Sequence, residues 1–274
     1  MEKSAISGII AKITDIFFIP VRRNKTLLKH LLNHTLKKEI EEMSDKGELF
    51  PLNHIHRAIK LAKNLLNKES IILDIGGGIG ASLKLFTENF PDRKIMVFEP
   101  VTENFKAIKE RFPSFTNIEF IKHAVGNENI EKQINIAGRP TSSSLLPLSA
   151  DPVSDVFNES NLGKTGIETI TMVKLDDFLA KNQDEIGIMK IDVQGYELDV
   201  LKGAETTLKR TDIVVLEANN HEGYIGSAKY YDIDRYLRER NFTLYDILPS
   251  IVDNGKLKEW DMIYMNNSAR CVQV

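Results

Sequence analysis

Apolar residues recur at helical spacing in the first part of the chain. A stripe runs through residues 6–17 and stops at Pro20, and further apolar positions three or four apart follow between residues 26 and 67. Residues at that spacing share one face of an α-helix. We therefore predict a helical extension over residues 1–69 and a separate domain over residues 70–274.

The pattern changes after residue 70 to short runs rich in β-branched residues that alternate with helical stretches. Such a β-α-β-α-β series is typical of a parallel sheet with right-handed crossovers and helices on both faces. The sequence thus predicts an α/β domain. Strands are predicted at residues 71–75, 95–98, 118–125, 130–136, 169–173, 186–193 and 213–218, helices at 81–89, 102–111, 175–180, 196–209 and 232–240, and an antiparallel terminal hairpin at 243–248 and 261–265.

Composition is that of an ordinary globular protein. Of the 274 residues, 42% are hydrophobic and 27% are charged, and 36 Lys and Arg against 39 Asp and Glu leave a net charge of −3. That balance does not indicate a nucleic-acid partner. The single cysteine, Cys271, has no second cysteine with which to form an internal disulfide, so a cytoplasmic location is predicted.

The charge is unevenly distributed along the chain. Residues 1–40 contain eight basic and three acidic residues, a net charge of +5, so the rest of the chain carries −8. A basic amphipathic helix of this kind binds anionic membrane surfaces, which predicts peripheral contact with the inner membrane face. Docking of the same apolar stripe on the protein's own domain or on a second subunit of a homo-oligomer is the alternative that we favour.

Four glycines stand where the first predicted strand turns into a helix. They are Gly76, Gly77, Gly78 and Gly80, and they closely follow Asp74. Glycines let the backbone turn tightly and approach a ligand closely, while the start of the next helix offers free amide groups. Because ligands of parallel sheets bind at the carboxyl ends of the strands, we expect a small-molecule cofactor here.

An acidic residue ends the second predicted strand. Glu99 follows the glycines by roughly 20 residues, a spacing at which an acidic side chain commonly accepts hydrogen bonds from the ribose of an adenine nucleoside. Pro100 comes next and turns the chain out of the strand. We therefore predict that Glu99 binds a ribose.

Two cofactors fit these motifs. Gly76, Gly78 and Ala81 match the G-x-G-x-x-A spacing of dinucleotide loops, so an NAD(P)-dependent Rossmann oxidoreductase is one interpretation. A carboxylate at Asp74 would repel a pyrophosphate, whereas it suits the amino group and sulfonium of S-adenosylmethionine. The chain also contains no Tyr-x-x-x-Lys pair. S-adenosylmethionine is therefore the predicted cofactor.

Several ordered segments make the chain similar to the FkbM family of S-adenosylmethionine-dependent methyltransferases, which have the class I methyltransferase fold. The similarity covers roughly residues 70–265, and its most specific part is MKIDVQGYELDVLKGA at residues 189–204. The other segments are the glycine turn with Asp74, Glu99-Pro100, Ala124-Val125-Gly126 and VKLDDFL at residues 173–179.

The resemblance implies a Rossmann-like, mostly parallel seven-stranded sheet with an antiparallel hairpin at its end. It also implies that the glycine turn underlies the methionine part of the cofactor, that Glu99 binds the ribose, and that the end of the third strand meets the adenine. The residues expected to bind the cofactor are Asp74, Gly76, Gly78, Gly80, Glu99, Pro100, His123, Ala124 and Asp192.

Asp192 and His221 are the candidate catalytic residues. Asp192 ends a predicted strand of the sheet, where a carboxylate can orient the acceptor hydroxyl, accept its proton or bind a divalent metal. His221 follows the next strand at the same edge. Metal-free transfer is one alternative, and a magnesium ion held by Asp192, Glu217 and Asn219, as in some class I O-methyltransferases, is the other.

We therefore expect an O-methyltransferase that moves a methyl group from S-adenosylmethionine to a hydroxyl. The resemblance implies that the acceptor is a sugar, a glycan or another small-molecule natural product. Besides the oxidoreductase, the remaining alternative is a non-catalytic module that binds a membrane surface or a protein partner through residues 1–40.

Overall fold

The computed structural model describes residues 54–65, 69–147, 164–220, 223–253 and 256–268. Seven helices and ten strands are assigned in these residues. The helices are α1 His54–Leu65, α2 Ala81–Asn89, α3 Thr102–Arg111, α4 Leu175–Phe178, α5 Glu197–Lys202, α6 Glu205–Leu208 and α7 Tyr230–Arg238. The strands are β1 Ile71–Ile75, β2 Ile95–Phe98, β3 Ile118–Ile121, β4 Ala124–Val125, β5 Ile130–Ala137, β6 Lys164–Val173, β7 Ile186–Ile191, β8 Thr211–Asn219, β9 Phe242–Asp253 and β10 Lys256–Asn266.

Seven strands form the main sheet in the order β3-β2-β1-β7-β8-β10-β9. The first five are parallel to one another, and β10 runs antiparallel to both β8 and β9. This confirms the predicted mostly parallel sheet with an antiparallel hairpin at its end. The chain order reverses between β1 and β7, and the crevice at such a switch point is the usual ligand site of an open α/β sheet.

Helices cover both faces of the main sheet, as predicted. On one face, α1, α2 and α3 pack against the sheet through buried side chains such as Ile59, Phe86 and Ile108. On the other face, α5 and α7 pack through Leu201 and Leu237, among others. The central strands β1 and β7 are buried along their whole length, which explains their continuous apolar runs.

The third predicted strand does not continue to residue 125. It ends at Ile121, and after Lys122 and His123 the chain enters β4, which belongs to a separate three-stranded sheet in the order β4-β6-β5. Residues 130–136, predicted as a strand, lie in this second sheet and pair antiparallel with β6. No glycine or proline marks the break, so the apolar pattern alone could not locate it.

The helix predicted over residues 196–209 is divided into α5 and α6 at Gly203. At this position an added Cβ would lie 1.9 Å from the carbonyl oxygen of Gly126. The backbone of the second sheet therefore approaches the helix too closely for any other residue at 203.

Helix α1 lies in the part of the chain predicted as a helical extension, and it packs into the core. Ile55, Ala58, Ile59 and Ala62 are each at most 3% exposed and belong to one apolar cluster with strands of the main sheet. The division of the chain at residue 69 stays a prediction. Residues 1–53, which include the apolar stripe and the excess of basic residues, lie outside the described residues. Among the described residues, no helix has the length and hydropathy needed to cross a membrane.

Candidate active site

The glycine turn joins β1 to α2 and requires glycine for two physical reasons. Gly76, Gly78 and Gly80 have φ angles of +80°, +53° and +85°, which favour glycine because a Cβ is strained there. A Cβ added to Gly76 would also lie only 1.9 Å from the carbonyl oxygen of Asp192. The turn therefore packs its backbone directly on the end of β7.

An open cleft of about 200 Å³ lies over this turn, at the carboxyl ends of β1, β2 and β7. Its walls come from the switch point of the main sheet and from the second sheet. Of the predicted cofactor residues, those that line the cleft are Gly76, Gly78, Glu99, Pro100, His123, Ala124 and Asp192.

Glu99 points its carboxylate at the glycine turn. Its Oε2 accepts a hydrogen bond from the backbone N–H of Gly78 at 2.7 Å, and its Oε1 accepts one from Val101 at 2.9 Å. Glu99 is 5% exposed, and burial raises its pKa to about 7 against these hydrogen bonds, which lower it. Oε1 also accepts a 3.4 Å hydrogen bond from Asn104 Nδ2, so Oε2 is the oxygen that keeps a second lone pair for a ligand hydroxyl.

Asp74 lies beneath the turn and does not line the cleft, which differs from the expectation that it faces the ligand. It is fully buried in β1, where its Oδ2 accepts a hydrogen bond from Ser82 at 2.7 Å. Its Oδ1 lies 3.2 Å from Lys190 Nζ. Asp74 is thus paired within the protein, and its role in cofactor binding stays a prediction. Gly80 also lies outside the cleft lining, at the start of α2.

Lys190 connects the turn to the end of β7. Its Nζ donates a 2.7 Å hydrogen bond to the carbonyl oxygen of Gly76 and lies 3.6 Å from Asp192 Oδ2. Burial by itself lowers the pKa of Lys190, but the Asp74 and Asp192 carboxylates outweigh it and raise the pKa above its usual value. A charged lysine thus sits between two carboxylates under the cleft.

Asp192 stands in the cleft on a loop that hydrogen bonds hold in place. Its Oδ1 accepts a 2.8 Å hydrogen bond from Gln194, whose Oε1 in turn accepts one from the Tyr224 hydroxyl. Glu197 is 3% exposed and accepts backbone hydrogen bonds from Val193 and Gly195. Burial raises the pKa of Glu197 to about 7. The Asp192 side chain itself is 38% exposed, so it remains open to a substrate.

His123 and Ala124 form the opposite end of the cleft, after β3. The His123 ring packs edge to face on Phe178, with 6.1 Å between ring centroids. Its Nδ1 is buried and has no hydrogen-bond partner among the described residues. This end has the flat, partly apolar walls that suit an aromatic base, with a free polar atom on the ring of His123.

Three candidate residues remain: the possible metal ligands Glu217 and Asn219, and the possible catalytic residue His221. Glu217 and Asn219 lie on β8 next to β7, but neither lines the cleft. Burial, with the charges of Glu259 and Asp192, raises the pKa of Glu217 well above its usual value. No three His, Cys, Asp or Glu side chains are grouped to hold a metal ion in the described part of the chain. The magnesium set of Asp192, Glu217 and Asn219 stays a prediction, and His221 lies outside the described residues.

Most of the residues that line this cleft lie in a part of the chain that matches a protein-family model. Residues 74–244 match the model of the methyltransferase FkbM domain. The chain belongs to the FkbM methyltransferase family. It is therefore a methyltransferase, as the sequence predicted.

Relatives of this FkbM-family chain include two methyltransferases and one solved structure. Methyltransferase 1 of Beauveria bassiana is 24% identical over 59% of this chain and 69% of its own. The 2-O-methyltransferase NoeI of Sinorhizobium fredii is 24% identical over 73% of this chain and 83% of its own. The crystal structure of methyltransferase FkbM from Methylobacillus flagellatus has 15% identity and a TM-score of 0.44, covering 72% of this chain. This chain spans only 44% of that protein's length.

Sequence reasoning missed one residue of this FkbM-family site, Lys190, and gave only minor weight to a second, His54, as a residue that lines a substrate pocket. Lys190 had a visible signal, because it is the one charged residue in the otherwise apolar segment 186–191. His54 lines the cleft from α1, and its Nδ1 lies 2.6 Å from Asp261 Oδ2. Because His54 and Asp261 are far apart in the sequence, no local pattern predicts that they lie together. Both His54 and Asp261 lie outside the matched residues 74–244.

Proposed function

We propose that this methyltransferase transfers the methyl group of S-adenosylmethionine to a hydroxyl oxygen of a sugar, a glycan or another small-molecule natural product. The observation that carries the proposal is one cleft in which a glycine turn, the buried Glu99 carboxylate and the exposed Asp192 carboxylate come together. S-adenosylmethionine supplies an electrophilic methyl group on a sulfonium, so the protein has to hold it and align an oxygen with it.

The strand order supports an orientation for the donor. In the order β3-β2-β1-β7, His123 and Ala124 follow β3, Glu99 follows β2, the glycines follow β1 and Asp192 follows β7. An adenine at His123, a ribose at Glu99 and a methionine part over the glycines then bring the reactive end to Asp192. The second lone pair of Glu99 Oε2 offers an acceptor to a ribose hydroxyl.

The acceptor class rests on chemistry and on a relative. A carboxylate at the reactive end suits an acceptor that presents hydroxyl groups, because Asp192 can accept a hydrogen bond and orient the oxygen. NoeI is named as a 2-O-methyltransferase, which supports an oxygen acceptor for this chain as well. No observation favours the oxidoreductase, and calorimetry with NAD and with S-adenosylhomocysteine separates the two. Binding of NAD alone would overturn the proposal.

The proposal is tested by a screen with labelled S-adenosylmethionine. Methyl glycosides, oligosaccharides and glycosylated metabolites serve as acceptors, with amines and nucleic acids as comparison. We expect label in a base-stable methyl ether of one acceptor class. Label confined to nitrogen acceptors or to nucleic acid would contradict the proposal.

Binding of S-adenosylhomocysteine is expected to weaken by about tenfold from about pH 8 to about pH 6. The ribose hydroxyls bind the ionised Glu99 carboxylate, and its pKa of about 7 means that it is protonated at the lower pH. Affinity therefore rises as the pH increases through about 7. Calorimetric titration across this range is the measurement.

The matched variants for this titration are Glu99→Gln and Glu103→Gln. The first should bind weakly at every pH, with the pH dependence lost, whereas Glu103 is exposed at the start of α3 and its variant should follow the wild type. An affinity in the wild type that is constant between the two pH values would contradict the role of Glu99.

Replacing Asp192 with alanine is expected to lower kcat by about 10²-fold, because the acceptor hydroxyl is no longer oriented. Binding of S-adenosylhomocysteine should change little, because the backbone hydrogen bond from Asp192 N to Ile75 O remains and Lys190 keeps Asp74 as its partner. Single-turnover rates with the acceptor from the screen provide the comparison, and Asp92→Ala, in an exposed turn, is the control. Full activity in Asp192→Ala would remove this residue from the mechanism.

Residues 1–40 are proposed to dock on this domain, on a second subunit or on the inner face of the membrane, with the protein in the cytoplasm. Sedimentation with anionic liposomes, using the whole chain and a chain without residues 1–25, distinguishes the membrane from the protein surfaces. Binding that depends on residues 1–25 supports the membrane.

A further inference from the structure

His54 occupies the side of the cleft that lies beyond Asp192. It is the first residue of α1, which packs over β7, β8 and β10, and it lines the same cleft as the glycine turn. Its partner Asp261 is on β10, directly across from Glu217 on β8. In the sheet order, β8 and β10 follow β7 on the side away from β1. His54 is therefore on the acceptor side of the reactive end.

The contact with Asp261 defines the state of the imidazole. His54 Nδ1 lies 2.6 Å from Asp261 Oδ2, and the two side chains are 23% and 15% exposed. With a proton on Nδ1 facing the carboxylate, Nε2 of the neutral ring has a free lone pair. His54 also lines the cleft.

Both oxygens of Asp192 have polar partners within the protein. One of its oxygens accepts a hydrogen bond from Gln194, and the other lies 3.6 Å from the Lys190 ammonium. Asp192 can orient a hydroxyl through its remaining lone pairs, and a different group in the cleft can then take the proton.

We propose that His54, held by Asp261, is the general base that takes the proton from the acceptor hydroxyl. The proposal rests on the proposed function. As the acceptor oxygen forms its bond to the methyl carbon, the sulfur–carbon bond breaks and its electron pair stays on sulfur. The hydroxyl proton passes to His54 Nε2, and the Asp261 carboxylate stabilises the resulting imidazolium.

The elements packed around α1 and β10 carry several charged groups. They are Asp261 and Glu259 on β10, Glu217 on β8, Lys190 on β7, Asp192 at the end of β7, Arg57 on α1 in an ion pair with Asp246 on β9, and the exposed Lys84 and Glu88 pair on α2. Carboxylates outnumber the cations among these groups.

The first test determines which ring nitrogen of His54 carries the proton, in protein without cofactor or acceptor. In nitrogen-labelled protein, NMR correlations of the His54 ring should show the proton of the neutral ring on Nδ1, with Nε2 unprotonated. In Asp261→Asn, which keeps the size of the side chain, this preference for Nδ1 should be reduced. A neutral His54 with its proton on Nε2 in the wild-type protein would overturn the proposal, because that nitrogen then has no lone pair to offer.

The second test separates proton transfer from binding. With labelled S-adenosylmethionine and methyl glycosides as acceptors, His54→Gln should reduce kcat by about 10² to 10⁴-fold. Its affinity for S-adenosylhomocysteine should stay within a few-fold of the wild type. The acid limb in the pH profile of kcat should be present in the wild type and absent in the residual activity of His54→Gln. His56→Gln is the matched control, since His56 lies on the same helix and is exposed.

The outcomes distinguish this proposal from the proposed function. If the wild type methylates a glycoside and His54→Gln does so with an equal kcat, the assignment of His54 is overturned and the proposed function stands. If His54→Gln loses S-adenosylhomocysteine binding and activity in parallel, His54 is a cofactor-binding residue, which also overturns the assignment. A wild type that binds S-adenosylhomocysteine but methylates nitrogen acceptors alone overturns the proposed function and this proposal together.

Discussion

Replacing Lys190 with methionine is expected to lower the free energy of unfolding by about 3–5 kcal/mol. Lys190 is 4% exposed, and its ammonium lies 3.2 Å from the Asp74 carboxylate, which has no exposure at all. Methionine fills a similar volume but leaves that carboxylate buried beside no positive charge. The hydrogen bond from Lys190 to the carbonyl oxygen of Gly76 is lost as well.

Urea unfolding of the variant, followed by circular dichroism, measures this loss. Adding Asp74→Asn to Lys190→Met should recover part of the stability, because the uncompensated charge is then removed. Lys84→Met is the control, since Lys84 forms a 3.6 Å pair with Glu88 in which both side chains are more than half exposed. That pair should contribute at most about 1 kcal/mol. A Lys190→Met variant as stable as this control would contradict the role assigned to the buried ammonium.

Replacing Gly76 with alanine is expected to destabilise the protein by about 2–5 kcal/mol and to weaken S-adenosylhomocysteine binding by about 100-fold. The added methyl group would meet the Asp192 carbonyl oxygen at 1.9 Å, and the φ angle of +80° is strained for alanine. The ends of β1 and β7 must then separate. Because Asp192 stands on the moved strand end, the cleft changes shape together with the turn.

Alanine variants of two other glycines distinguish the effect of the close contact from the effect of backbone strain. Gly226 has a φ angle of +84°, and a Cβ there would meet nothing within 4 Å, so Gly226→Ala reports strain alone, about 1–2 kcal/mol. Gly166 in β6 has neither feature, and its alanine variant should match the wild type. Thermal unfolding and calorimetry with S-adenosylhomocysteine provide the values for all three variants. If Gly76→Ala loses no more stability than Gly226→Ala, the contact with Asp192 does not restrict residue 76.

The overall fold could be predicted because its determinants are local. Runs such as residues 71–75 and 95–98 are short, apolar and β-branched, and the helices between them have apolar faces of the correct period. The handedness of the crossovers then leaves few arrangements for the sheet. The break after Ile121 escaped this reasoning, because pairing with β6 decides it and β6 comes more than 40 residues later.

Part of the candidate site was also predictable from sequence. Glycines at 76, 78 and 80 and the acidic residue at 99 follow the ends of predicted strands, and their spacing by itself indicates a nucleoside-binding turn. Their chemistry is visible in the residue types, since only glycine tolerates such a turn and only a carboxylate offers that many acceptors. These residues line the cleft of the folded protein, with Gly80 just behind it.

The sequence by itself therefore determined the order of strands and helices and the identity of the turn, because both depend on neighbours a few residues away. Only the tertiary structure determined which charged groups of the site lie next to each other. It paired Asp74 with Lys190 across 116 residues and His54 with Asp261 across 207 residues. Burial determines which charges are neutralised and which remain free for a ligand, and burial is a property of the packed sheet and of α1 over it.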